Sequence, residues 1–149
     1  MSTELKYETF ELELLNPLKG HALTREEEFV ANLLLDATAV RPIGISRIRH
    51  EARKAEPVIE LSERLVKAIV RRLKKDHGFP ILSRRRAPSG YWWCGSQAEM
   101  EEYLGWAKSQ PLDELHTLSK MVKQNYPALA GQLHLEDATV DGTGEEGNG

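Results

Sequence analysis

The stretch from Ser62 to Gly95 places the tightest limits on how this chain can fold. Its first part, SERLVKAIVRRLKKDHG, repeats apolar residues at helical spacing between an N-cap serine, Ser62, and a stop glycine, Gly78. Its second part has two arms, 79–83 and 90–95, that contain the strand-favouring residues Ile81, Tyr91, Trp92 and Trp93 and are joined by RRRAPS. Because Pro88 and Gly90 favour a turn, the arms predict a β-hairpin directly after the helix.

Further helices are predicted on both sides of this stretch. Thr24 and Glu27 have the spacing of a capping box ahead of a helix from about Arg25 to Thr38, and Ser46 is the predicted N-cap of a second helix that Pro57 closes. After the hairpin, apolar spacing predicts two more helices, over 97–110 and 112–126. The sequence thus predicts a mainly α fold with a small β-hairpin: a three-helix bundle plus hairpin, with extra C-terminal helices.

The predicted organisation has four parts. Residues 1–23 hold a strand, indicated by alternation over 9–15, and a turn; residues 24–95 form the main domain; residues 96–127 are helices that pack on it or dimerise. Residues 128–149 are predicted as an acidic, disordered tail, since the end of the chain is rich in Gly, Glu and Asp.

The net charge of −3 conceals a strong segregation. Residues 41–86 contain 14 lysines and arginines against 5 carboxylates, whereas the segments before and after are acidic. Within the predicted third helix, Leu65, Val66, Ile69 and Leu73 share one side while Arg64, Lys67, Arg71 and Lys75 share the other. A local excess of positive charge of this kind is typical of a surface that meets a polyanion.

Composition argues against several other classes of function. No apolar run approaches the roughly 20 residues of a membrane span, which favours a cytoplasmic protein without membrane contact. The single cysteine, Cys94, and five scattered histidines offer no metal-ligand spacing, and no nucleophile and base stand in a catalytic pattern. We therefore expect no enzyme activity, no cofactor, no metal and no evident small-molecule ligand.

The run from Glu63 to Leu104 resembles the recognition helix and wing of winged-helix proteins of bacteria and their phages, and is similar in pattern to the DNA-binding domain of the biotin operon repressor. In that pattern an apolar-spaced helix is followed by G-x-P-I-x-S and then by G-Y-[YW]. The matching residues are Val66, Ile69 or Val70, Leu73, Lys74, Gly78, Pro80, Ile81, Ser83, Gly90, Tyr91 and Trp92. The chain departs from the family between the second and third helices, where KAEPVIEL replaces a tight turn. The resemblance implies a winged helix-turn-helix fold and a small transcription regulator or replication accessory of phage or prophage type.

Double-stranded DNA is the predicted partner. A helix with a cationic outer side fits the major groove, and an arginine-rich loop suits the flanking phosphates or the minor groove. The predicted DNA-binding residues are Ser62 at a phosphate, Arg64, Lys67 and Arg71 in the major groove, Lys74 and Lys75 on the backbone, and Arg84, Arg85 and Arg86 on the flank.

Several alternatives stay open at this stage. The basic surface suits a protein-interaction or assembly module with an acidic partner, and Arg84, Arg85 and Arg86 suit gatekeepers of a sheet edge. The stripe formed by Leu112, Leu115, Leu118 and Val122 suits either intramolecular packing or a homodimer. Because strand residues alternate in direction, either Trp92 or Trp93 must point away from the three-helix core, which predicts a packed neighbour such as the helix after the hairpin, or a second subunit.

Overall fold

A computed structural model describes residues 16–107 and 112–133, and within them the fold is mainly α with one small antiparallel hairpin, as predicted. The predicted strand at 9–15 lies outside the described residues. The elements are α1 (Arg25–Leu35), α2 (Ile45–Arg53), α3 (Glu63–Lys75), β1 (Ile81–Arg84), β2 (Gly90–Trp93), α4 (Gln97–Ala107), α5 (Leu112–Asn125) and α6 (Pro127–Gln132).

The first three helices pack around one hydrophobic cluster, here called the N-terminal core. Leu34 of α1, Ile48 of α2, and Ile69 and Leu73 of α3 are all fully buried in it. The capping box of α1 is confirmed, because the Thr24 hydroxyl accepts from the Glu27 amide while the Glu27 carboxylate accepts from the Thr24 amide. The predicted apolar side of α3 is confirmed as well, although Leu65 is only half-buried at its edge.

Several predicted helix boundaries are wrong. α1 ends at Leu35 rather than Thr38, α2 begins at Ile45 with Gly44 as its N-cap instead of Ser46, and α2 ends at Arg53 rather than just before Pro57. The second error has a structural cause: Ile43 exchanges two backbone hydrogen bonds of 2.8 Å with Tyr91. This bridge holds the chain extended up to Gly44, and the helix begins as soon as the chain leaves it.

The KAEPVIEL segment between α2 and α3 folds inward. Ile59 and Leu61 are buried in the N-terminal core. The Ile59 amide donates to the Ala52 carbonyl at 3.0 Å, and Arg49 Nε donates to the Leu61 carbonyl at 2.9 Å. This segment therefore contributes to the core beside the N-terminus of α3.

The hairpin is covered on both faces. β1 and β2 pair with Ile81 opposite Trp93 and Leu82 opposite Trp92. Ile81, Trp93 and Tyr91 face the N-terminal core, while Leu82 and Trp92 face a second cluster, here called the C-terminal core. A two-stranded hairpin is marginal alone, so packing on both faces supplies its stability.

Helices α4, α5 and α6 build the C-terminal core against the outer face of the hairpin. Trp92 Nε1 donates to Glu99 Oε2 at 2.5 Å, and the Trp92 ring lies edge-on to Tyr103 of α4. The predicted neighbour of the outward tryptophan is therefore α4. From the predicted stripe, Leu118 and Val122 are buried in the same core and Leu115 packs at its edge.

The predicted disordered tail from residue 128 is wrong for its first residues. Pro127 occupies the first turn of α6, where its missing N–H costs nothing, and Leu129 and Ala130 are buried in the C-terminal core. The sequence reading missed α6 because only two of its six residues are buried and the helix is too short to show a period. The remainder of the predicted tail, 134–149, lies outside the described residues.

Substitution of Gly90 tests how much the stability of the fold depends on the bridge between the hairpin and Ile43. Gly90 has a φ of +136°, and an added Cβ would lie 2.7 Å from the Ile43 carbonyl oxygen. We expect Gly90→Ala to lower the free energy of unfolding by about 1–3 kcal/mol from backbone conformation alone, measured by urea denaturation. The control is Gly105→Ala in α4, where an added Cβ meets nothing within 4 Å and where we expect a gain of about 0.5–1 kcal/mol. Equal stability of the two variants would contradict this account.

Candidate nucleic-acid interface

Three of the predicted DNA-contacting side chains lie on the exposed side of α3. Arg64, Lys67 and Arg71 are all exposed, because Val66, Ile69 and Leu73 turn the opposite side of the helix into the N-terminal core. Lys67 forms a solvent-exposed pair with Glu63 at 3.4 Å, which is worth little in water. This side of α3 therefore carries long cationic side chains that remain accessible.

Ser62 stands at the N-terminus of the same helix. Its hydroxyl accepts from the Leu65 amide at 3.0 Å, which confirms the predicted cap. Ser62 itself is exposed, so the first turn of α3 is open to solvent next to Arg64. Amides at a helix N-terminus attract anions, which suits a phosphate at this point.

The C-terminal end of α3 is flanked by α5. Lys74 Nζ lies 3.9 Å from Glu114 Oε2, and only 17% of the Lys74 side chain is exposed. Lys75 is half-buried, and its carbonyl accepts from the Lys120 ammonium of α5. Lys74 and Lys75 thus lie on the α5 side of the helix, apart from the exposed Arg64.

The three consecutive arginines at the hairpin loop have different environments. Arg84 Nε donates to the Pro88 carbonyl at 2.9 Å, its terminal nitrogen donates to the Ala39 carbonyl, and its guanidinium carbon lies 4.8 Å from the centre of the Trp92 ring. Arg85 and Arg86 are exposed, and no hydrogen bond or ion pair from the described residues holds them. Arg84 therefore closes the hairpin loop, while Arg85 and Arg86 remain available to a partner.

Arg84 and Arg85 provide a matched test of this division. We expect Arg84→Ala to cost about 1–3 kcal/mol of folding free energy, because it removes a ring contact and leaves two carbonyls without their donor. Arg85→Ala removes the same charge one residue away and should change stability by less than about 0.5 kcal/mol. Thermal and urea unfolding of both variants measures the difference, and similar losses would show that Arg84 has no special structural role.

Arg72 is held on the far side of α3 by α1. Its Nε donates to Glu27 Oε2 at 2.8 Å, and the Glu27 carboxylate is nearly buried, with 9% of its side chain exposed. This bond is the main cause that lowers the pKa of Glu27 below its usual value. Local patterns cannot predict this pair, since 45 residues separate its members.

The Glu27 pair predicts a pH-dependent stability. A carboxylate whose folded pKa is lowered stabilises the protein above its unfolded pKa, and this contribution is lost as the pH falls through the folded value. We expect Glu27→Gln to cost about 1–2 kcal/mol at pH 7. The deficit should shrink progressively as the pH falls below the usual glutamate pKa of about 4.3. Glu28→Gln, an exposed neighbour on α1, serves as the control in urea titrations across this range. A deficit independent of pH would contradict the assignment.

A cleft lies where α3, the hairpin and α5 meet. It has a volume of about 250 Å³, and its lining brings together four of the nine predicted DNA-binding residues: Lys67, Arg71, Lys74 and Lys75. Ser83 and Tyr91 of the hairpin and Glu114 and Thr117 of α5 complete its polar lining. Burial raises the pKa of Tyr91, so its phenol stays protonated at neutral pH. Sequence reasoning missed the contribution of α5, because nothing local to 112–126 indicates that it packs beside α3.

Comparisons with protein-family models, with curated proteins and with solved structures found no match to this chain. In the residues that the structure describes, no three side chains of a kind that bind metals come together. Among those same residues, no helix is both long enough and apolar enough to cross a bilayer. Cys94 is buried, and burial raises the pKa of its thiol, which disfavours the reactive thiolate.

Proposed function

We propose that this chain is a winged-helix protein that binds double-stranded DNA, with α3 as the recognition helix and the β1–β2 hairpin as the wing. The order of three helices and a hairpin supports this assignment, as does the Ile43–Tyr91 bridge, which joins the segment before α2 to the hairpin. A recognition helix must be apolar toward the other two helices and cationic toward DNA, and α3 meets both requirements.

The observation that carries the proposal is the exposure of unpaired cations on two neighbouring elements. Arg64 and Arg71 on α3, and Arg85 and Arg86 in the hairpin loop, have no ion pair with any described residue, and all four are exposed. Lysine and arginine side chains that are exposed and have no partner within the protein can pair with the phosphates of DNA. The biological role that we propose is a transcription regulator or replication accessory of phage or prophage type.

The wing makes a quantitative prediction for DNA binding. The slope of log K against log salt concentration is about −0.9 for each phosphate that the protein neutralises. Because Arg84 is held internally, we expect the double variant Arg85→Ala, Arg86→Ala to reduce this slope by up to about two phosphate equivalents rather than three. The slope is measured by fluorescence anisotropy from about 50 to 200 mM salt. The ligand is a fluorescently labelled pool of duplexes of random sequence.

Two further variants complete the experiment. Lys19→Ala removes an exposed lysine outside the cationic segment and should leave the slope nearly unchanged. Arg64→Ala with Arg71→Ala should weaken binding and, if α3 reads bases, relax any sequence selected from the random pool. An unchanged slope in the wing variant, or no duplex binding by the folded protein at about 50 mM salt, would overturn the proposal in favour of a protein-interaction module.

The oligomeric state is a separate prediction. Leu118, Met121 and Val122 are already buried within the chain, so the C-terminal helices do not need a second copy to cover them. Trp106 of α4 is a large apolar side chain that stays 58% exposed at the surface. A homodimer through these helices therefore stays a prediction, which analytical ultracentrifugation of the free chain tests.

A further inference from the structure

The cleft between α3, the hairpin and α5 has more positive charge than its own residues neutralise. Among the residues that the structure describes, Lys67, Arg71, Lys74 and Lys75 line it, and Glu114 is the one carboxylate in its lining. The Lys74–Glu114 distance of 3.9 Å exceeds the usual hydrogen-bond range of about 2.7–3.2 Å, so Glu114 does not satisfy the Lys74 ammonium as a bonded acceptor.

The cations are also arranged unfavourably for the helix that carries them. Lys67 and Arg71 are four residues apart, as are Arg71 and Lys75, and like charges at this spacing repel and destabilise a helix. The 17% exposure of the Lys74 side chain adds a cost, because water solvates its charge less well than at the surface. An anion in the cleft would relieve both effects at once.

The chemistry of the lining selects the kind of anion. Three lysines and one arginine line the cleft together with the hydroxyl-bearing residues Ser83, Tyr91 and Thr117. This donor set suits a doubly charged group with several acceptor oxygens better than it suits a single carboxylate. The volume of about 250 Å³ lies just below the 300–1,000 Å³ typical of ligand pockets, which limits the occupant to a small group.

We propose that this cleft is a phosphate-binding site, occupied by a small free phosphate ester or by a backbone phosphate of DNA. The site itself does not rest on the proposed function; only the second source of the phosphate does. Lys67 and Arg71 belong both to the cleft and to the exposed side of α3, so an occupant of the cleft shares two cations with the proposed DNA surface.

Inorganic pyrophosphate is the probe, titrated into the full chain at constant ionic strength and followed by two-dimensional amide NMR. We expect saturable shifts at the cleft, including the amides of Ser83, Tyr91 and Thr117. Lys74→Gln removes a charged donor and should weaken binding about tenfold. Glu114→Gln removes the opposing charge and should tighten binding roughly twofold to fivefold, an increase that a folding defect would not produce.

Arg53→Gln is the matched control, because it removes an exposed positive charge that does not line the cleft. Its pyrophosphate affinity should equal that of the unmodified chain. The proposal is overturned if the shifts do not saturate, if they spread over all exposed cations, or if Lys74→Gln and Arg53→Gln weaken binding equally.

A second titration identifies the source of the phosphate. If DNA places a backbone phosphate in the cleft, pyrophosphate at ten times its dissociation constant raises the apparent dissociation constant of duplex DNA about tenfold, and further pyrophosphate raises it in proportion. A rise that levels off once pyrophosphate saturates the cleft shows that both anions bind together, and assigns the site to a free phosphate ester. Because the pyrophosphate measurement needs no DNA, it supports or overturns the cleft site even if the chain binds no duplex.

Discussion

The burial of both faces of the β1–β2 hairpin is the constraint on which the rest of the structure depends. Tyr91 and Trp93 pack on the N-terminal core, and Trp92, on the opposite face, packs into the C-terminal core with α4. The ring of Phe79, 5.1 Å from that of Trp93, extends the first contact along the chain. One short hairpin therefore connects the three-helix bundle to the three C-terminal helices, and the alternation of side chains along a strand makes this possible with few residues.

The same constraint explains which parts of the fold were predictable. The apolar side of α3, the Ser62 cap and the hairpin all follow from local patterns, because their signals lie within a few residues of one another. The start of α2 was misplaced because Ile43 pairs with Tyr91, 48 residues away, and a local capping signal at Ser46 cannot report that bridge. α6 was missed because its burial depends on a surface that other helices create.

The cationic residues of the candidate site could be predicted from the sequence. Which of them are held by contacts within the protein could not. Three consecutive arginines, Arg84 to Arg86, cannot be distinguished by sequence pattern. Of the three, only Arg84 donates hydrogen bonds to two carbonyls and lies over the Trp92 ring. Likewise, Arg72 is one of the cations of α3, but its ion pair with Glu27 holds it against α1 and away from the exposed side of α3. The count of positive charges from 41 to 86 therefore overstates what a polyanion meets, since tertiary contacts decide which charges remain unpaired.

Helix α5 links the two proposed sites physically. Its C-terminal end holds the loop after α3, where Gln124 Nε2 donates to the His77 carbonyl at 2.5 Å and Asn125 Nδ2 donates to the Gly78 carbonyl at 2.7 Å. Its N-terminal half supplies Glu114 and Thr117 to the cleft. Because the same helix fixes the end of α3 and forms one wall of the cleft, charge that enters the cleft acts on α3 without any rearrangement of the core. An anion in the cleft and a phosphate on the exposed side of α3 would both act on Lys67 and Arg71, and this shared electrostatic field would couple the two proposed sites.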